Sequence, residues 1–194
     1  MGNYDFDSAV IGGGSAGYAT ARTTAAAGKR TVIIEAGGEL GGLCILRGCM
    51  PTKALLHAAD VRHQARRSSI WGLKPDEVSF DFAEVMRRKA AMVEEFASYR
   101  RGQLQDGRFE LIRALARFRD PHTLELDNGK AVTAEHIMIC TGSRVAELPL
   151  PGLTKLGCIT SDDALRLESL PKSIIVLGGG AVALEFAQFF ARFD

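Results

Sequence analysis

The sequence predicts an α/β protein: a three-layer domain with a small antiparallel β insertion, followed by the start of a second α/β domain. Three observations carry this. An apolar strand, a glycine-rich turn and an alanine-rich helix open the chain over residues 6–27. Short β-rich segments divided by turn residues occupy residues 110–140, after one long amphipathic helix. The strand–turn–helix opening then begins again at residue 173.

Residues 6–11 (FDSAVI) are the first strand, and Gly12, Gly14 and Gly17 fit G-x-G-x-x-G across the turn after it. A helix is predicted from Ser15 to Ala27, stopped by Gly28. TVIIE at 31–35 is a second strand that ends on an acid, Glu35. Tight turn, helix N-terminus, second strand and terminal acid together make a Rossmann-like βαβ opening. There a pyrophosphate would sit on the helix N-terminus and Glu35 would bond ribose hydroxyls. A glycine-rich turn without a nucleotide is the alternative that the lone fingerprint leaves open.

Length and composition bound the function. The 194 residues allow one substantial core and the start of another. With 46% hydrophobic and 24% charged residues and a net charge of +1, the chain reads as soluble and globular, not as a basic nucleic-acid binder. No apolar run approaches the 18 or so residues of a membrane helix. No signal peptide is visible, and Phe6 stands where a myristoylation signal wants Ser or Thr. The expected setting is cytoplasmic, with no nucleic acid and no membrane as partner. Disulfides there are usually transient and catalytic.

That matters for Gly41–Lys53, which reads GGLCILRGCMPTK and places four residues between Cys44 and Cys49. An ideal helix would hold two Cα atoms at this spacing about 8.6 Å apart, whereas a disulfide wants less than about 7 Å. Closure needs a distorted backbone, which Gly48 permits. The cysteines read as a local redox pair; reduced core residues are the other reading. Zinc is disfavoured, because Cys140 and Cys158 lie far away and the four histidines form no H-x3-5-H pair. A helix is predicted from Thr52 to Arg67, with Lys53 and His57 on one face and Cys49 just before its positive end, which favours a thiolate.

Trp71 is predicted to anchor a turn, and residues 81–104 to form a core-facing amphipathic helix. Strands are predicted at 110–118, 122–126 and 130–134, with a DNG turn before the last, and at 136–140, returning to the main sheet and ending in Thr141-Gly142-Ser143. Cys140 is expected as a buried strand residue. A proline-punctuated connection follows, with one short helix near Ser161–Leu167. Then come a strand at 173–177, the turn Gly178-x-Gly180-x-x-Ala183 and a helix.

These segments together resemble the class I pyridine nucleotide–disulfide oxidoreductases, the family of dihydrolipoamide dehydrogenase, mercuric reductase and glutathione reductase. The resemblance covers the whole chain and rests on the glycine fingerprint, GGLCILRGCMPTK, the TGS strand end and the second fingerprint in the family's order. It implies an FAD-binding domain with a redox-active disulfide over residues 1–148, a connection over 149–171, and the start of an NAD(P)-binding domain over 172–194. FAD would contact Gly12, Gly14, Ser15, Ala16, Gly17, Glu35, Ala36, Gly42, Leu43, Gly48, Cys49, Lys53, Thr141 and Gly142. Gly178, Gly180 and Ala183 would face NAD(P)H. The catalytic set would be Cys49 against the flavin, Cys44 as the outer thiol, and Lys53 paired with Glu185. Hydride would pass from nicotinamide to FAD, and two electrons to Cys44–Cys49. Exchange with a small disulfide or dithiol, or reaction with a soft metal ion, would follow, and the sequence could run in reverse.

The motif departs from the family's usual GGTCxNxGC: Leu43 replaces the Thr and Leu46 the Asn, with Arg47 next. Full members are also much longer and homodimeric, so the chain is expected to be an N-terminal portion that does not turn over alone. A non-catalytic module holding FAD or a soft metal is the alternative from another class, and a plain NAD-binding Rossmann protein is a third.

Overall fold

The computed structural model describes residues 4–74, 77–146 and 149–193. Its contacts divide the chain into two units, each made of two separate stretches: 1–46 with 95–144, and 47–94 with 145–194.

The first unit holds the sheet. Strands β1 (Phe6–Ile11), β2 (Thr31–Ile34), β3 (Glu110–Ile112), β4 (Ala116–Asp120), β5 (Thr123–Leu126) and β6 (Ala131–Ile139) form one six-stranded sheet in the order β3-β2-β1-β6-β5-β4. β1 runs parallel to β2 and to the later part of β6, and β2 runs parallel to β3. β4, β5 and the start of β6 form an antiparallel meander. All four residues of β2 are buried, as a strand covered on both faces requires. On one face Val10 and Ile33 pack with Tyr18 and Ala21 of α1 (Ser15–Ala26), with Leu40, and with Leu104 and Phe109. On the other, Ala9, Val32 and Ile34 pack with Leu124, Leu126, Val132 and Ala134 of the meander.

The structure redraws three predicted strands. The segment 110–118 is two strands, because the chain changes partner between them: Glu35 N–H donates to Ile112 O, Ala114 N–H to Glu35 O, and Leu115 N–H to Asp127 Oδ1. Conversely 130–134 and 136–140 are one strand, since β6 continues unbroken from the meander into the parallel ladder.

The second unit is helical. It contains α3 (Cys49–Arg66), a 3-10 turn (Ser68–Trp71), the first half of α4 (Phe82–Leu104), α5 (Ser161–Ala164) and α6 (Ala181–Phe193). The last half of α4 belongs to the first unit, where Ala97 and Leu104 are buried. The shorter α2 (Gly42–Leu46) is also part of the first unit. Phe186, Phe189, Phe190 and Phe193 recur at helical spacing on α6 and pack on Leu55 and Ala59 of α3 and on Ala164 and Leu165.

Here the structure differs from expectation in four places. α3 starts at Cys49, three residues early, with Pro51 in its first turn; the first N–H groups of a helix have no intrahelical partner, so proline there removes no bond. α5 ends after one turn, as Leu165 turns into the core. Residues 173–177 form no strand: Ile175 is 87% exposed, and an extended segment with no neighbouring strand has no ladder to join. Trp71 is 81% exposed and anchors nothing among the described residues. No helix among those residues is long and apolar enough to cross a membrane.

Candidate active site

In the first unit the site is built around the turn after β1. Gly12 adopts φ +103°, and a Cβ there would lie 2.3 Å from Cys140 O. A Cβ on Gly17 would lie 1.8 Å from Gly12 O, and one on Gly42 2.3 Å from the Cα of Gly14. The glycines therefore let β1, α1, α2 and the end of β6 close on one another backbone to backbone. Gly12 N–H donates to Ile34 O and Cys140 N–H to Ile11 O, both at 2.8 Å. Cys140 itself is half-buried, just past the end of β6.

Glu35 sits at the C-terminal end of β2. Its carboxylate accepts from Gly13 N–H and from Gly37 N–H, each at 2.6 Å. Ser15 and Ala16 are exposed at the start of α1, which has no side-chain cap and no acid in its first turn. Ala36, Thr141 and Gly142 are exposed as well, and Gly142 adopts φ +75°. Leu43 and Cys44 lie half-buried on α2.

Tyr18 gathers a cluster that no spacing rule reveals. The Arg100 guanidinium stands 4.0 Å from the ring centroid, with Arg22 and Arg108 each at 5.9 Å. Arg108 donates to the Tyr18 hydroxyl at 3.2 Å and is ion-paired with Asp106. Arg100 donates through Nε to Gln103 at 3.1 Å, while its buried Nη1 has no partner. Burial pushes the Arg100 guanidinium down from its ordinary value; Tyr18 works against this and Arg22 with it.

In the second unit Cys49 is the first residue of α3 and is exposed. Gly48 is the N-cap, and its carbonyl accepts from Thr52 Oγ1 at 2.7 Å. One turn along α3, Lys53 donates to Glu185 of α6. This joins two residues 132 positions apart in sequence. His57, on the same face, is exposed. Arg47 donates to Asp162 at 3.2 Å, which gives the charge between the two cysteines a counter-charge on α5. Gly178 adopts φ +113°, and the space beside Gly178 and Gly180 is open among the described residues. Ala183 lies on α6.

All four cysteines stand as thiols, not disulfides, with Cys44 in the first unit and Cys49 in the second. The described residues contain no cluster of three or more His, Cys, Asp or Glu suited to a metal.

The family model for pyridine nucleotide-disulphide oxidoreductases matches residues 6–194. The chain belongs to that family. Among curated relatives, the dihydrolipoyl dehydrogenase of Bacillus subtilis is 33% identical over 97% of the chain and 42% of its own length. The mercuric reductase of Bacillus cereus is 33% identical over 97% of the chain and 30% of its own length. Among solved structures of the family, the HOCl-induced flavoprotein disulfide reductase RclA of Escherichia coli superposes with a TM-score of 0.80 at 33% identity, over 96% of the chain and 40% of RclA. A Cu(II) complex of RclA superposes with a TM-score of 0.79. The chain thus spans 30–42% of the length of these relatives.

Proposed function

We propose that the chain is the N-terminal portion of an FAD-dependent, NAD(P)H-linked dithiol–disulfide oxidoreductase whose redox pair is Cys44 and Cys49. One observation carries this reading: a thiol at the first position of an 18-residue helix, with a lysine one turn away held by an acid on another helix. A negative sulfur there meets the positive end of the helix, and Lys53 adds a fixed cation.

The residues fit the cofactor. The uncapped first turn of α1 offers N–H groups for a pyrophosphate, and Glu35, which accepts two N–H bonds, keeps lone pairs for ribose hydroxyls. Thr141 and Gly142, at the end of the strand beside β1, would border the same ligand. When bound, the flavin would accept a hydride and return two electrons to sulfur. Lys53 would hold a positive charge near it, and Glu185 would keep that lysine aimed. Cys44 would meet substrate: its thiolate attacks one sulfur of a disulfide and the other sulfur leaves as thiolate. Cys49 then displaces the second thiolate from Cys44, closing Cys44–Cys49. The second fingerprint, Gly178, Gly180 and Ala183, would begin the nicotinamide site.

The substrate class is a small disulfide or dithiol, with a soft metal ion as the other candidate because thiolates bind such ions. One relative is named a mercuric reductase and one superposing structure is a Cu(II) complex. The parent enzyme would be a homodimer, in a reducing compartment such as the cytoplasm, where such a disulfide stays transient.

The test is a visible spectrum of the chain reconstituted with FAD and partly reduced. Cys44→Ser should expose a broad band beyond the flavin peak, from a Cys49 thiolate against the flavin, and Cys49→Ser should abolish it. Equal behaviour of the two variants would overturn the assignment of roles.

A further inference from the structure

The loop between the two cysteines carries a charge that the proposed chemistry leaves unused. Arg47 stands two residues before Cys49, so their Cα atoms are at most about 7.6 Å apart. That is inside the screening length of about 8 Å at physiological ionic strength. A cation there would add to Lys53 and to the positive end of α3, where the N-cap Gly48 offers no side-chain acceptor. Arg47 is instead engaged: its Nη1 donates to Asp162 Oδ2 at 3.2 Å, across 115 positions of sequence. Asp162 lies in the first turn of α5, inside the Thr160–Asp163 capping box, and its side chain is 24% exposed against 54% for Arg47. α5 is in turn anchored on the helix that begins with Cys49, through Ala164 and Leu165 against Leu55 and Ala59. Of the other titratable groups on the packed helices, Lys53 pairs with Glu185, Asp163 accepts from Thr160, Lys89 donates to Leu165 O, and His57 is exposed.

We propose that Asp162 is a positioning residue of the redox pair: by holding Arg47 on α5 it cancels a cation beside Cys49, and so sets how readily that thiol ionises. This rests on the reading of Cys49 as the thiol that displaces the second thiolate from Cys44. A thiolate attacks less well as it becomes easier to form, and the best attacking thiol ionises near ambient pH. The helix end and Lys53 already favour the thiolate. A further uncompensated cation would make Cys49 more ionised and a weaker nucleophile. Asp162 adds no redox step, and the bonds made and broken are those described above. Exposed ion pairs contribute little to folding, so a purely structural tie is the weaker account of this one.

The experiment uses the reduced chain carrying Cys44→Ser, Cys140→Ser and Cys158→Ser, so that Cys49 alone reacts. Alkylation by neutral iodoacetamide is followed from about pH 5 to about pH 10, and the readout is the pH at which the rate reaches half its plateau. Asp162→Asn should lower that pH by about half a unit, since Arg47 is then uncompensated. Arg47→Gln should raise it about as far, since Asp162 is then uncompensated. The double variant should return close to the parent, and Asp162→Glu should keep the parent value. Both shifts should shrink as potassium chloride rises. A structural tie would change the plateau rate alike in both single variants and leave the half-plateau pH in place. That result overturns the proposal, as do two shifts of one sign or shifts indifferent to salt. The flavin band tests the role of Cys49 separately, since alkylation needs no flavin.

Discussion

Gly17 shows how a single hydrogen can decide a site. A methyl there would stand 1.8 Å from Gly12 O, with backbone on both sides of the clash. Gly17→Ala should therefore destabilise the first unit by about 2–3 kcal/mol, read as a lower urea midpoint, and should weaken FAD binding by shifting α1 off the turn. Lys53 and Glu185 make the opposite case. Their side chains are 58% and 27% exposed, so the pair adds roughly 0.5 kcal/mol to folding. Lys53→Met should leave the thermal midpoint nearly unchanged yet make the bound flavin harder to reduce, measured by titration against a reference dye. A large loss of stability with an unchanged potential would make the pair a structural tie.

At the scale of elements, two carboxylates tie ends together. Asp5 accepts from Thr133 N–H at 2.9 Å and from its hydroxyl at 2.8 Å, joining the chain before β1 to β6. Asp163 accepts from Thr160 N–H at 2.8 Å in the capping box of α5. Hydrogen bonds from Thr133 and Thr160 hold these carboxyls below the ordinary value of 3.8. A group whose folded value is depressed stabilises above its unfolded value and loses that contribution as pH falls through the folded one. Denaturation midpoints should thus fall below about pH 4, and Asp5→Asn with Asp163→Asn should flatten that decline. The same scale shows what the sequence could reveal. β1, α1 and β2 were legible because each has one partner arrangement along its whole length, which periodicity reports. β3 and β4 were not, because Arg113–Leu115 changes partner inside a uniformly β-favouring stretch. Nor was the join at Glu135, where β6 passes from one neighbour to another. Lys53–Glu185 was legible only by resemblance, and the Tyr18–Arg100 stack not at all, since long-range contacts between distant helices leave no period.

For the whole molecule, the decisive feature is that each unit is written in two pieces, with boundaries after residues 46, 94 and 144. A chain ending at Arg144 keeps every strand but loses α5 and α6, and with them the four phenylalanines that cover Leu55 and Ala59. Amides of β1, β2 and β6 should then stay protected from hydrogen exchange, while those of α3 lose at least about tenfold in protection. Full protection of α3 would mean that it is stable without that core. Within the intact chain, Phe189→Ala removes a side chain only 1% exposed and should cost about 3–5 kcal/mol.

The double pairing of β6 also sets a clock. Its first residues zip with β5 across the tight Asp127–Gly129 turn, whereas bringing in the N-terminal strand joins positions such as Asp5 and Thr133, 128 residues apart. Closing the larger loop costs about 3 kcal/mol more in chain entropy. The meander should therefore assemble early and stand as a template, and β1, the first of these strands along the chain, should be among the last to find its place.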